Sequence, residues 1–511
     1  MIKPVNPLWR YKIPIGVLIV VLLTALLFAW HPWRTPSPCG RGLSQTGAPY
    51  VCVGLDLEST PMKKQDPLAD LEQKVATVNS RIGSDEAFAT IVLLETMTPD
   101  PTTDSGTLTS VRYAIEGAIT AVDRADSDSG VAAGAMPKIK LLLANFGTRA
   151  QSWQQTVAAI KDAAHDQHIV AVAGIGQSLA GSRQAVAALS DAGFTTVGGD
   201  VTADNMNLDQ GGARIRNFFR VSPTNSDEAS AAAQYITQQK LAKTKILLVR
   251  DTTESDDYGQ TLAKAFTARF SPTFTEDFRS PEEKLSGAGR DAYMVDQFGQ
   301  MHSDLCADQP DLIYFAGRGR DLGSFLKALA NGGKCPLVHM TVLTGDDASN
   351  LVGNRFELDN IDVLYTALAY PDEWPAPPPD SNGADMPSLE VYEFKNYEEF
   401  RTAFVREGFA RNDLADGTAI MMHDAVLVAA TATRNDDQAV PNFNTLASAM
   451  LHLRCTKTVP GASGYIALDA GTGNPVDKTL VIVQIDVDGI ATKKTLEWPD
   501  GKQIDYLKQT C

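Results

Sequence analysis

The 511 residues contain seven histidines and no H-E-x-x-H arrangement, and their six cysteines include no C-x-x-C pair. A zinc hydrolase or a structural zinc cluster is thereby left without its ligands. Positive charge is also scarce, since 45 lysines and arginines against 62 aspartates and glutamates give a net charge of −17. That balance repels a phosphate backbone and argues against a nucleic-acid partner. Gly174, Gly176 and Gly181 are spaced G-x-G-x-x-x-x-G in the third strand–helix unit. A dinucleotide fingerprint needs G-x-G-x-x-G in the first such unit, so Asp200 at the end of the next strand does not complete one. Gly176-Gln-Ser-Leu-Ala lacks the second glycine of a G-x-S-x-G nucleophile elbow, and no suitable histidine loop follows it. No catalytic residue, metal or cofactor is therefore expected, and the enzyme readings are set aside.

One long apolar run is present. Residues 13–30 are interrupted only by Pro14, Gly16 and Thr24, and as a helix they would span about 27 Å, close to the thickness of a bilayer core. Lys3, Arg10 and Lys12 precede the run, and Trp9, Tyr11, Trp30 and Trp33 flank it. The positive-inside tendency then predicts a cytoplasmic tail over 1–12, a single-pass anchor over 13–30 and an extracytoplasmic remainder in the cell membrane. The bulky, proline-rich "LLFAWHPWRTPSPC" does not offer the small residues of a cleavage site, so an uncleaved anchor is expected. Cys39, Cys52, Cys306, Cys335, Cys455 and Cys511 all follow it, in a compartment where disulfides persist. Of the 15 possible pairings, proximity and order favour Cys39 with Cys52, Cys306 with Cys335, and Cys455 with Cys511.

Residues 31–86 read as a stalk and extension, punctuated by proline and glycine and closing on an amphipathic helix, "PLADLEQKVATVNSRI". From Phe88 a regular alternation begins. Strands "FATIVLL", "IKLLLANF", "HIVAVAG" and "FTTVGG" are separated by helical stretches, and their unbroken apolar character marks parallel strands covered on both faces. A second series follows, with strands "TKILLVRD", one near Phe274, "DLIYFAG" and "PLVHMTVL", and helices between them. The segment 371–387 is a proline-rich insertion, and "GYIALDAGTGNPVDKTLVIVQIDVDG" suggests a hairpin turning at Gly471–Asn474. The predicted fold class is α/β, two doubly wound parallel-sheet lobes forming a clamshell behind the N-terminal transmembrane helix. The binding domain would run over 87–511, with lobe 1 at about 87–220 and 362–455 and lobe 2 at about 221–345 and 456–511. In open parallel sheets ligands bind outside the carboxyl ends of the strands, so two facing lobes make one cleft.

Five segments, in order, carry a resemblance: "FRVSPTNSDEASAAAQYI", "KILLVRDTTESDDYGQTLAKAF", "PDLIYFAGRGRDLGSFLKAL", "MMHDAVLVAATA" and "GASGYIALDAGTGNP". Over residues 88–490 the chain resembles the type I periplasmic solute-binding proteins, the branched-chain amino acid and amide receptors of ABC transporters. The resemblance implies capture of a small polar ligand, an amino acid or amide, for an ABC permease. The alternative is a tethered sensor that signals through a partner protein. It further implies that Gln177 and Ser178, at a helix N-terminus suited to an anion, grip a ligand carboxylate together with Thr202 and Ala203. Tyr258 would close over the ligand, and Asp346 or Asp347 would hold its ammonium group. Each of these has a plainer reading: Ser178 as a helix cap, Tyr258 as packing, the two aspartates as turn residues. Arg318 and Arg320 flank a glycine turn at the same edge, and His423, beside Asp424 in a late helix, reads as a packed histidine. The chain departs from the family's paired small hydroxyls at Gln177-Ser178, and its first loop, "ETMTPDPTTDSGTLT", is longer and more acidic than the family's.

Overall fold

Short apolar runs rich in β-branched residues are satisfied as strands covered on both faces, and the chain places them so. β3 (Phe88–Glu95), β4 (Lys138–Asn145), β5 (Ile169–Gly174), β6 (Thr195–Gly198) and β7 (Phe218–Arg220) are all parallel, and every residue of β5 is buried. The computed structural model describes residues 38–506 apart from 48–49, 64, 128–131, 133, 135, 241–244, 284, 332–339, 357–360, 378–387 and 436–442. Residues Cys39–Cys511 form one compact unit.

Two short strands read as part of a stalk join the first sheet instead. β1 (Leu43–Thr46) and β2 (Val51–Leu55) pair with each other and add to the edge at β4, giving the seven-stranded order β1-β2-β4-β3-β5-β6-β7. The disulfide Cys39–Cys52 holds this edge. Cys306 and Cys455 are disulfide-bonded as well, whereas Cys335 and Cys511 lie outside the described residues.

The second sheet has the order β16-β15-β12-β11-β10-β8-β9. It contains β8 (Ile246–Asp251), β9 (Phe274–Phe278), β10 (Leu312–Ala316), β11 (Met340–Thr344) and β12 (Ile361–Ala367) in parallel, with β15 (Leu480–Ile485) and β16 (Ala491–Glu497) antiparallel at one edge. β12 belongs wholly to this lobe, so the return to the first lobe comes after Ala367 rather than at 362. The expected hairpin about 471–474 is also corrected. β14 (Gly464–Ile466) pairs back onto β13 (Val459–Gly461), and the turn closes only a bridge between Leu468 and Pro475, while β15 departs to the other lobe. Three crossings thus join the lobes, after β7, after β12 and between β14 and β15.

The returning helix Thr418–Asn435 is buried from Ala419 through Thr433, which explains its lack of a polar face. It crosses the helix Leu108–Asp126 so closely that a Cβ on Gly117 would stand 2.1 Å from the Ala419 carbonyl oxygen. Only glycine permits that approach.

One part of the expected fold class is not carried by any described residue. The transmembrane helix expected at 13–30, like the tail at 1–12, lies outside the described residues. Among the described residues no helix is long and apolar enough to cross a membrane. The described fold is two lobes, and no described helix supports the anchored function, membrane contact and single-pass localisation expected from that segment.

Candidate functional site

The carboxyl ends of the two parallel sheets face one another, and the side chains just past them meet around a cavity of about 80 Å³. β3 delivers Glu95, the turn after β5 delivers Gly176 and Gln177, and the residues after β6 deliver Asp200. The second lobe contributes Tyr258, Arg318, Asp346 and Asp347. The lobes are shut on this space. Ser110 Oγ donates to Asn350 Oδ1 (2.9 Å), Arg320 Nη1 to the Asp104 carbonyl (2.6 Å), Arg149 Nη2 to Ser255 Oγ (2.6 Å), and Arg183 pairs with Asp257 (2.8 Å). Ser105 Oγ also donates to Asp347 across the gap.

The glycine turn is built by backbone that few residues adopt, with φ of +91° at Gly174, +79° at Ile175 and +61° at Gly176. Its geometry turns the Gly176 N–H onto Glu95 Oε1 at 3.2 Å. The turn expected to hold a ligand's anion therefore gives its Gly176 N–H to a carboxyl of its own chain. Ser178 is 2 % exposed and stands outside the cavity lining. Its Oγ accepts from the Ala203 N–H (3.2 Å), and its carbonyl accepts from the Tyr258 N–H (3.2 Å) and Arg318 Nη2 (3.1 Å). Thr202 donates to Asp346 Oδ1 at 3.3 Å, and its carbonyl accepts from Asn225 N–H. Ala203 gives its carbonyl to Arg220. Of the expected residues, then, Gln177, Tyr258, Asp346 and Asp347 line the cavity, while Ser178, Thr202 and Ala203 form a buried scaffold beside it.

Arg318 organises the second lobe's face. It grips Asp256 bidentately (2.7 and 2.8 Å), reaches Asp347 at 3.2 Å, and lies over the Tyr258 ring 4.5 Å from its centroid. Burial works against its charge, but Asp256 and Asp347 outweigh burial and hold the guanidinium protonated. The Tyr258 hydroxyl accepts from the Asp347 N–H at 3.3 Å.

Among the described residues Glu95, Asp200, Asp346 and Glu228 form no ion pair, and only Asp346 feels the Arg318 charge, which lowers its pKa. Burial pushes Glu95 up to about 8. Asp200 is raised well above the carboxylate range by burial and then by the charges of Glu95 and Asp346. Asp346 is pushed to about 7 by burial and by Asp347. Behind it the buried Glu228 accepts the Asp346 N–H (2.8 Å) and is itself raised, by burial first and Asp346 second. Like charges in a dry site cannot all ionise. Glu95 and Glu228 carried no signal in sequence, because Glu95 ends an apolar strand and Glu228 sits in an ordinary helix. Asp200 was legible only as the end of a strand.

His423 packs as expected, its Nδ1 2.7 Å from Asp424 and its Nε2 3.0 Å from Arg124, wholly buried and away from the cavity. Among the described residues no three His, Cys, Asp or Glu side chains converge so as to hold a metal ion.

No protein-family model and no curated protein sequence matches the chain. Solved structures do. An ABC transporter substrate-binding protein from Desulfitobacterium hafniense in complex with leucine is 19 % identical, with a TM-score of 0.55 over 80 % of this chain and 100 % of that one. A leucine-binding protein from Thermotoga maritima is 18 % identical, with a TM-score of 0.54 over 81 % and 99 %. An ABC-transporter solute-binding protein from Rhodopseudomonas palustris in complex with 3,4-dihydroxybenzoic acid is 14 % identical, with a TM-score of 0.55 over 81 % and 98 %. The chain shares the two-lobed fold of the type I periplasmic solute-binding proteins, and all three of these are binding proteins rather than enzymes.

Proposed function

We propose that the protein is a solute receptor: it captures a small polar molecule between its lobes, without chemical turnover, and presents it to an ABC transporter. The observation that carries this reading is the cavity at the facing carboxyl ends of two parallel sheets, bridged by side-chain bonds between lobes that three crossings join among the described residues. Hinged lobes of this kind open to admit a ligand and close around it. The ligands of the structural neighbours, leucine and 3,4-dihydroxybenzoic acid, share small size and polarity rather than one chemistry. The disulfide at Cys39–Cys52 and the disulfide-bonded Cys306 and Cys455 support a place outside the cytoplasm.

Gln177, Tyr258, Asp346 and Asp347 are the proposed contacts, and Ser178, Thr202 and Ala203 their support. The test is a thermal-shift screen of small amines, amino acids and amides with the purified protein, followed by calorimetry on the hits. A ligand raises the melting temperature by mass action, and Tyr258→Ala weakens it by about tenfold or more. Hits whose affinity is untouched by Tyr258→Ala and Asp346→Asn would place binding elsewhere and refute the reading.

A further inference from the structure

Three donors that the ligand loop could offer an anion are already given to groups of the chain itself. The Gly176 N–H is given to Glu95, the Ala203 N–H to Ser178 Oγ, and the Thr202 hydroxyl to Asp346. Where a ligand carboxylate would sit, the chain presents carboxyls of its own: Glu95 and Asp200 from one lobe and Asp346 from the other line the same cavity. Asp200 Oδ1 is buried there without a hydrogen-bond partner, and so is Oε1 of Glu228 directly behind Asp346. An unpartnered buried acceptor is costly unless something fills it. Among the described residues the one cation lining the cavity is Arg318, and Asp256, Asp347 and the Ser178 carbonyl already occupy its guanidinium.

We infer that the molecule captured in this cleft is an organic cation, an amine or guanidine lacking a carboxylate, whose N–H groups bond to Asp200, Glu95 and Asp346. The inference rests on the solute-receptor reading and deepens it. A zwitterionic amino acid would bring its carboxylate against Glu95 and Asp200 with no free cation to receive it. A metal ion is a poor alternative, since the described acidic groups do not converge as ligands. Burial favours the protonated forms of Glu95 and Asp200, and a bound ammonium or guanidinium supplies the counter-charge that lets them ionise.

The test is calorimetric titration of the purified full chain with putrescine, agmatine, leucine and 3,4-dihydroxybenzoate. Putrescine or agmatine is expected to bind, with leucine and the benzoate weaker by about tenfold or more. Asp200→Asn and Glu95→Gln should each weaken the cation by about tenfold to a hundredfold, the loss of one charge-assisted bond, while the melting temperature of the empty protein holds or rises. Leucine or the benzoate binding as tightly as the cations overturns the inference, and so does cation affinity indifferent to both variants. If that leucine or benzoate binding is lost in Tyr258→Ala, the solute-receptor reading survives. Failure of all four compounds, and of a wider amino-acid and amide screen, removes both.

Discussion

Arg318 in the second lobe donates from Nη2 to the backbone carbonyl of Ser178 in the first, at 3.1 Å. The same guanidinium holds Asp256 and Asp347 and covers Tyr258, so one side chain both neutralises the second lobe's face and latches it to the first.

Arg318→Gln leaves Asp256 and Asp347 buried without their cation. Breaking a buried pair from one side costs about 3–5 kcal/mol, and the latch is lost with it. The variant should melt lower and show a larger radius of gyration in X-ray scattering. An unchanged melting temperature together with unchanged dimensions would show the latch to be dispensable.

Tyr258 separates hydroxyl from ring. Tyr258→Phe keeps the face beneath Arg318 but removes the acceptor for the Asp347 N–H, a loss of about 1–3 kcal/mol. Tyr258→Ala removes the ring as well and opens a buried cavity, for about 3–5 kcal/mol. Urea unfolding should rank the wild type above Phe and Phe above Ala, and equal midpoints for the two variants would deny the ring its role.

Stability should fall as pH rises. Burial raises Glu95 from 4.5 to about 8 and Asp346 from 3.8 to about 7, so the folded chain keeps protons that the unfolded chain has released. The stabilisation is complete below the unfolded values and is lost as pH climbs through the folded ones. Glu72, Glu373 and Glu393 are raised by burial in the same direction and add to the slope. The ligand-free melting temperature is expected to decline from about pH 5 to about pH 8, and Glu95→Gln should flatten part of that decline. A rising profile across this window would contradict the burial of these carboxyls.

Reducing Cys39–Cys52, or replacing both with serine, frees the segment that carries β1 and β2. With a separation of 13 residues, the loss is about 2–4 kcal/mol. Hydrogen exchange should quicken over Leu43–Leu55 while β5 and β6 stay protected; equal quickening throughout would mean that the edge and the centre of the sheet unfold together.

What the sequence determined by itself was periodicity and punctuation. Unbroken runs such as Ile169–Ala173 and Leu312–Ala316 can be stable only as covered parallel strands, and their alternation with helices, twice over, dictates a cleft at the strands' carboxyl ends. Gln177, Tyr258, Asp346 and Asp347 were expected from the resemblance rather than from that logic, and each follows directly on a legible strand or opens a legible helix. Only the tertiary structure decided the charge of the cleft. Glu95 and Glu228 meet Asp200 and Asp346 across 105 and 118 positions of chain or more, and no local pattern encodes such an encounter. It also sent β12 to the second lobe, drew β1 and β2 from stalk to sheet edge, and turned the Ser178 hydroxyl inward to Ala203. The physical reason is the same each time: hydrophobic pattern is written in neighbouring residues, whereas desolvation and partner choice arise only when distant segments are pressed together.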